Sequence, residues 1–270
     1  MDSSSNLHIV RKITAFFAAA LAVMGCNGGS SVFPQVSGHR GANDIAPENT
    51  LASADSCIRW GIEVMETDVT MSCDSIFFLL HDRELGRTTN GEGRPEEHTA
   101  AYLDSLDAGS WFGPEWAGQC MPRFQTLLRK AKDAGLDITI DYRLGEFADL
   151  VALCESEGML EHTNFTFSDE EDAVRFRKEF PNVHTLQAYV TDINDLDRVM
   201  ELYSPDIIVN WIDGIDRKFV KTCHDRGLQV LALCLGLDDK TQANRKAVRL
   251  GVDVVATDRP KAFKQQFGKL

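Results

Sequence analysis

VSGHRGANDIAPENTLASADSCIRWGIEVMETDV, from Val36 to Val69, carries the pattern on which the fold turns. It opens on a short apolar run that ends in Gly38-His39-Arg40-Gly41. It continues through the amphipathic stretch NTLASADSCIRWG and closes on a β-rich run from Gly61 to Val69. Strand, crossover helix and strand make a unit whose two strands lie parallel in one sheet. Gly61 stands where a left-handed helix cap falls, and Gly135 and Gly227 follow later helical stretches in the same way.

The unit recurs along the chain. Strands are expected near Val36–His39, Gly61–Val69, Ile76–His81, Asp137–Tyr142, Asn164–Phe167, Thr185–Val190, Asp206–Trp211, Gln229–Leu235 and Val252–Thr257. Helical stretches such as FQTLLRKAKDAG, DLDRVMELY and RKFVKTCHDRG lie between them. About eight repeats fit an α/β class (β/α)8 barrel better than an open sheet. Nine candidates are one too many. Met71–Ser75 is too short for a helical crossover, so the second and third strands are expected to form a hairpin-like irregularity. After the third strand, Asp82 to Met121 breaks the alternation with TTNGEGRPEE, TAAYLDSL and GSWFGPEW. Excursions of that length are often functional. This one reads as a small insertion over one barrel mouth, with Trp111, Phe112 and Trp116 available to pack back on the barrel.

The chain has 270 residues, 43% of them apolar and 26% charged, which is ordinary globular usage. Its first 25 residues differ. Arg11 and Lys12 precede an apolar run from Ile13 to Met24, too short to span a membrane comfortably and suited to an export signal. LAVMGC resembles the lipobox of bacterial lipoproteins, which implies acylation of Cys26. The expected organisation is a lipoprotein-type signal over 1–25, a tether over 26–35 and one barrel over 36–267 with an insertion at about 82–121. The expected location is the bacterial cell envelope, periplasmic or outer-surface, with membrane attachment through the lipid alone. Losing Asp2, Arg11 and Lys12 with the signal would take the formal charge from −13 to −14. So acidic a surface argues against nucleic acid as a partner, and an anionic substrate must be met by local cations or a metal. None of Cys57, Cys73, Cys120, Cys154, Cys223 and Cys234 forms a CxxC pair, which argues against structural zinc. Cys154 and Cys234 have apolar neighbours and read as buried thiols.

Barrel active sites lie at the C-terminal ends of the strands, and those ends here are polar. The first expected strand finishes in His39-Arg40 and the third in His81-Asp82. The second carries Glu66 and Asp68, two apart and so on one face; DITIDYR places Asp141 and Arg143 in the same relation. Each such residue alone is ordinarily a solvated rim group, and it is their convergence that carries meaning. Glu66, Asp68 and Asp141 form a plausible oxygen-ligand set for one hard divalent cation, Ca2+ or Mg2+. Zinc fits less well, because His39 and His81 are then needed for proton transfer. Arg40 and Arg143 suit phosphate contact. His98, His162, His184 and His224 lack such company and are assigned no role. A barrel glycosidase using Glu66 and Asp68 is disfavoured, since such pairs flank the bond from opposite sides.

GHRGANDIAPENT, METDV and LLHDRELGRTTNGEGR resemble the signature of the glycerophosphodiester phosphodiesterase family. LDAGSWF, ITIDYR and GVDVVATDRP extend the resemblance over essentially the whole barrel. It implies a distorted TIM (β/α)8 barrel with a small insertion after the third strand. It implies Glu66, Asp68 and Asp141 as metal ligands, Asp141 standing where the family usually has Glu. His39 and His81 would be the acid–base pair, Arg40 would contact the phosphate, and Arg143 would replace the usual Lys. Glu48 and Asn49 would organise the first loop behind the ligands. Leu233–Gly236 replaces a segment that usually contains Trp, removing an aromatic wall.

The implied reaction is metal-dependent hydrolysis of a small-molecule glycerophosphodiester to glycerol 3-phosphate and an alcohol. The neighbouring glycerol hydroxyl would attack, and water would open the cyclic phosphate. The altered segment leaves room for a lysophospholipid or a glycerol-phosphate polymer as substrate. Asp141 and the missing Trp also admit a catalytically weak lipoprotein that binds phosphodiester head groups.

Overall fold

The computed structural model describes residues 33–183, 185–236 and 240–268. The signal, Cys26, the tether up to residue 32, and His184 lie outside them. Among the described residues no helix is long and apolar enough to cross a membrane.

All nine expected strands form, with small shifts at their ends: β1 Gln35–Gly38, β2 Val64–Met71, β3 Phe77–Leu79, β4 Asp137–Tyr142, β5 Thr163–Phe167, β6 Gln187–Tyr189, β7 Ile207–Trp211, β8 Gln229–Cys234 and β9 Val254–Thr257. β3 is the supernumerary one. It folds back antiparallel on β2, pairing Val69 with Leu79 and Met71 with Phe77. The other eight are parallel, in the order β5-β4-β2-β1-β9-β8-β7-β6. One parallel bridge, Phe165 to Leu186, links the two ends into a nearly closed barrel.

Strand alternation divides the side chains between two environments. Ile207, Val209, Leu231, Leu233, Val254 and Ala256, every second residue of β7 to β9, form one buried apolar cluster. The intervening residues Ile208, Val230, Ala232 and Val255 belong to the larger core packed with the helices. On the opposite side, Ile138 and Ile140 of β4 join that larger core, which sends Thr139 and Asp141 the other way. The barrel interior is therefore apolar along β7–β9 and polar along β1, β2 and β4. Outside β4 and β5, Phe176 stands 4.8 Å from Phe165, 5.0 Å from Phe167 and 5.4 Å from Phe147 between ring centroids. Such pairs add about 0.5–1.5 kcal/mol each beyond area burial.

The segment after β3 has a core of its own. Leu85, Leu103, Leu106, Ala108 and Met121 pack with Phe78 and Leu80. Asp107 ties it together by accepting from the backbone of Gly109, Ser110 and Gly118 at 2.7–2.8 Å. Trp111 and Phe112, and Phe112 and Trp116, meet edge to face. The six described cysteines are free thiols, and Cys57, Cys154, Cys223 and Cys234 are buried.

Candidate active site

The loop after β1 turns tightly because Arg40 and Gly41 both take left-handed backbone, at φ +56° and +86°. At Gly41 a Cβ would come within 2.3 Å of the Ser53 hydroxyl oxygen, so only glycine fits. Arg40 is a non-glycine residue in a costly conformation, and so is Asn49 at φ +54°. Both are held from several sides. The Arg40 N–H donates to Glu66 Oε2 at 2.6 Å, and the Asn49 N–H donates to the Arg40 carbonyl at 3.0 Å. Asn49 Nδ2 donates to Asp68 Oδ2 at 2.8 Å, while its Oδ1 accepts from the Thr67 hydroxyl at 2.7 Å. The PENT box thus positions a carboxylate of β2.

Glu66, Asp68 and Asp141 converge as expected, each offering an oxygen within 4.8 Å of the others. Burial raises the Glu66 carboxyl well above its ordinary value, and the neighbouring Asp68 charge adds to this. Burial likewise pushes Asp141 up to about 6 against the opposing pull of Arg143. Two buried polar atoms here have no hydrogen-bond partner: Asp141 Oδ1, an acceptor, and Arg40 Nε, a donor. Crowded carboxylates with a spare oxygen fit a hard divalent cation. A spare guanidinium nitrogen beside them fits an anion's oxygen. Glu66, Asp68 and Asp141 are the residues that would hold the cation.

Arg143 lies against the carboxylates themselves. It donates to Asp68 Oδ1 through Nε at 2.9 Å and through Nη2 at 2.5 Å, and to Asp141 Oδ2 at 2.8 Å. Arg40 donates to Glu48 Oε1 at 2.9 Å, and its Nε stands 3.6 Å from Asp68 Oδ2.

Each histidine has an aspartate partner. His39 Nδ1 is 2.6 Å from Asp258 Oδ1, and His81 Nδ1 is 2.6 Å from Asp82 Oδ1. Burial would raise Asp258, yet the His39 bond and the Gly236 N–H hold it at about 2. Bonds from Arg87 and His81 bring Asp82 to about 2. Both carboxylates are therefore ionised acceptors, and each Nδ1 carries the donated hydrogen. That leaves Nε2 of each ring for chemistry. Burial pulls His39 down, but the Asp258 bond and the Glu66 charge outweigh it and leave His39 above its ordinary value.

The two rings open on different spaces. His39 lines a compact cavity of about 60 Å³ with Glu66, Asp141, Tyr189, Leu233 and Leu235. His81 lines a cleft of about 450 Å³ with Arg83, Arg94, Tyr142 and Arg143. Tyr189 of β6 puts an aromatic ring on the wall of the compact cavity, with Leu233 and Leu235 also lining it. Asp258, Asp82, Arg87 and Tyr189 went unassigned in the sequence reading. Asp258 ends a strand in an acid, the same signal that singled out Glu66 and Asp68. His162 and His224 pair with Asp137 and Asp253 at the surface, away from these groups.

Residues 39–171 match the model of the glycerophosphoryl diester phosphodiesterase family. The glycerophosphodiester phosphodiesterase-type protein YhdW of Bacillus subtilis is 29% identical over 235 residues, covering 82% of this chain and 93% of its own. A glycerophosphodiester phosphodiesterase from Agrobacterium tumefaciens superposes with a TM-score of 0.79 at 27% identity, over 86% of this chain and 99% of that one. An Oleispira antarctica phosphodiesterase in complex with the product sn-glycerol-3-phosphate gives 0.77 at 26% identity, over 88% and 98%. With the barrel, the strand-end acids and these likenesses in agreement, the chain belongs to the glycerophosphodiester phosphodiesterase family and is a phosphoric diester hydrolase.

Proposed function

We propose that the chain hydrolyses glycerophosphodiesters to glycerol 3-phosphate and an alcohol, using one divalent cation at Glu66, Asp68 and Asp141 and proton transfer by His39 and His81. The observation that carries this reading is a three-carboxylate cluster whose Glu66 and Asp141 share a cavity with His39, together with two imidazoles each oriented through Nδ1 by an ionised aspartate. The compact cavity suits glycerol, so His39 would serve the glycerol hydroxyl. The wider cleft suits the head alcohol, so His81 would serve the leaving oxygen. In the first step His39 Nε2 takes the hydroxyl proton, the freed oxygen bonds to phosphorus, and the bond to the head alcohol breaks as His81 Nε2–H protonates it. In the second, His81 Nε2 takes a proton from water, the water oxygen opens the cyclic phosphate, and His39 returns its proton to the glycerol oxygen. Both rings end as they began. Arg40 would meet the phosphoryl oxygens with its Nε, which has no hydrogen-bond partner. A bound cation would neutralise the diester's charge and stabilise the charge that builds on those oxygens.

The test is release of glycerol 3-phosphate from glycerophosphocholine, glycerophosphoglycerol and glycerophosphoserine with Ca2+ or Mg2+. Turnover of at least one with either ion is expected. No release from any would leave the readings of a polymer-cleaving enzyme and of a head-group-binding protein. A second reading, the same chemistry on a glycerol-phosphate polymer, draws on a cleft of about 940 Å³ that shares Leu233 and Leu235 with the compact cavity and is lined by Trp211, Arg217, Arg245, Lys246 and Arg249. Faster release from the polymer than from the small esters would favour it.

Asp258→Asn is expected to lower kcat by about 10²-fold or more, because an amide can donate to Nδ1 and select the wrong tautomer. Steady-state kinetics beside a thermal melt checks this. A kcat within threefold of wild type would show that His39 needs no partner.

A further inference from the structure

Glu48 in the loop after β1 and Asp82 in the loop after β3 are far apart in sequence, yet one side chain holds both. Arg87 donates to Glu48 through Nη2 at 2.7 Å and Nη1 at 3.1 Å. It donates to Asp82 Oδ1 through Nη2 at 3.1 Å and to Asp82 Oδ2 through Nε. Beyond these two carboxylates stand the reacting groups. Glu48 Oε1 also accepts from Arg40, and Asp82 Oδ1 also faces His81 Nδ1. Burial works to raise Glu48, but its arginine bonds prevail and hold it below its ordinary value. Both carboxylates are thus charged acceptors. The Trp111 ring of the inserted segment lies 6.0 Å from the Arg87 guanidinium carbon.

We propose that Arg87 is a positioning residue that locks the Arg40 loop and the His81 loop into one register through the chain Arg40–Glu48–Arg87–Asp82–His81. The proposal rests on the roles given above to Arg40 and His81. Stability alone does not account for the arrangement. Arg87 is 42% exposed, and ion pairs at such sites contribute little. What a guanidinium adds is a planar fork that fixes two carboxylates at set angles, which an ammonium cannot do. His81 hangs on Asp82 and Arg40 on Glu48, so the fork sets the distance between the proton donor and the cation that faces phosphate. A misplacement of about 1 Å in such a pair can cost on the order of 10²-fold in rate.

The test compares Arg87→Gln and Arg87→Lys with wild type by kinetics, thermal melting and nitrogen chemical shifts of the His81 ring. Arg87→Gln is expected to lower kcat about 10- to 100-fold with KM changed less than about threefold. Arg87→Lys keeps the charge and loses the fork, and should restore only part of kcat. In wild type the His81 shifts should report hydrogen on Nδ1; in Arg87→Gln they should report a mixture, because Asp82 is no longer held to the ring. A kcat within threefold of wild type overturns the proposal, and so does a wild-type tautomer pattern in Arg87→Gln, even where the melting temperature falls. If Arg87→Gln does not fold, the same criteria apply to Arg87→Lys. Should wild type release no glycerol 3-phosphate from any ester, it is the functional reading that fails, and the tautomer comparison alone decides the role of Arg87.

Discussion

His39→Ala and His81→Ala are each expected to lower kcat by roughly 10²- to 10⁴-fold, the usual contribution of a positioned acid or base. The melting temperature should move by only a few degrees, about what a loss near 1 kcal/mol gives in a domain of this size. The small stability effect follows from what remains. Without His39, Asp258 still accepts from the Gly236 N–H at 2.6 Å and from Asn43 Nδ2 at 3.3 Å. Without His81, Asp82 still holds Arg87. The pH dependence of the small cost has a definite sign. His39 lies above its ordinary value, so its contribution is present below that value and fades as pH rises through the folded one. Asp258 lies at about 2, so its contribution is present above the ordinary carboxylate range and fades as pH falls toward 2. His39→Ala should therefore cost most in mildly acidic solution, between the carboxylate and imidazole ranges. Thermal melts from pH 3 to 9 beside kinetics at the optimum separate the two effects. Turnover retained within tenfold in both variants would remove the acid–base reading.

The barrel was legible because its strands carry their own evidence. DITIDY reads as β4 from alternation alone, and the shortness of Met71–Ser75 correctly foretold that β2 and β3 pair as a hairpin. Strand-end polarity singled out Glu66, Asp68 and Asp141, whose oxygens the fold brings within 4.8 Å of one another, and His39 and His81, which the fold pairs each with an aspartate. What it missed is what depends on distance in sequence or on side-chain direction. Asp258 meets His39 across 219 residues, and no local pattern reports that. Applying the strand-end rule to β9 as well as to the first strands would have found it. Arg143 shows the other difficulty. Its spacing from Asp141 correctly put both on one face. A guanidinium beside its own strand's carboxylate, however, pairs with that carboxylate and with Asp68 across the sheet before it meets a ligand. Arg87 sits in a short turn, Leu85–Arg87, with nothing in its neighbourhood to single it out. Only the folded loops show that its fork joins two of them.

Removing divalent cations is expected to abolish turnover and to lower the melting temperature by on the order of 5–10 °C at pH 8, relative to a cation concentration about a hundredfold above Kd. At pH 5 the same removal should change the melting temperature much less. The sign comes from the carboxylates. Glu66 and Asp141 both lie above their ordinary values without a cation, Asp141 at about 6, because burial and mutual repulsion disfavour their charges. The folded chain then binds protons that the unfolded chain has released. Its stability falls as pH rises from the ordinary carboxylate range through these raised values. A divalent cation needs the ionised forms, so it binds more tightly as pH rises through the same window and offsets the loss. Below about 5, protons occupy the site that the cation would take. Glu66→Gln should break the linkage: one repelling charge is gone, the cation-free protein should melt at least as high as wild type at pH 8, and added Ca2+ or Mg2+ should no longer raise that temperature. Differential scanning calorimetry of wild type and Glu66→Gln at both pH values, each with chelator and with either ion, reads all of this without a substrate. A wild-type melting temperature indifferent to both ions at pH 8, together with turnover that survives chelation, would mean that Asp68 and Asp141 hold Arg143, that Glu66 holds the Arg40 backbone, and that the three bind no ion.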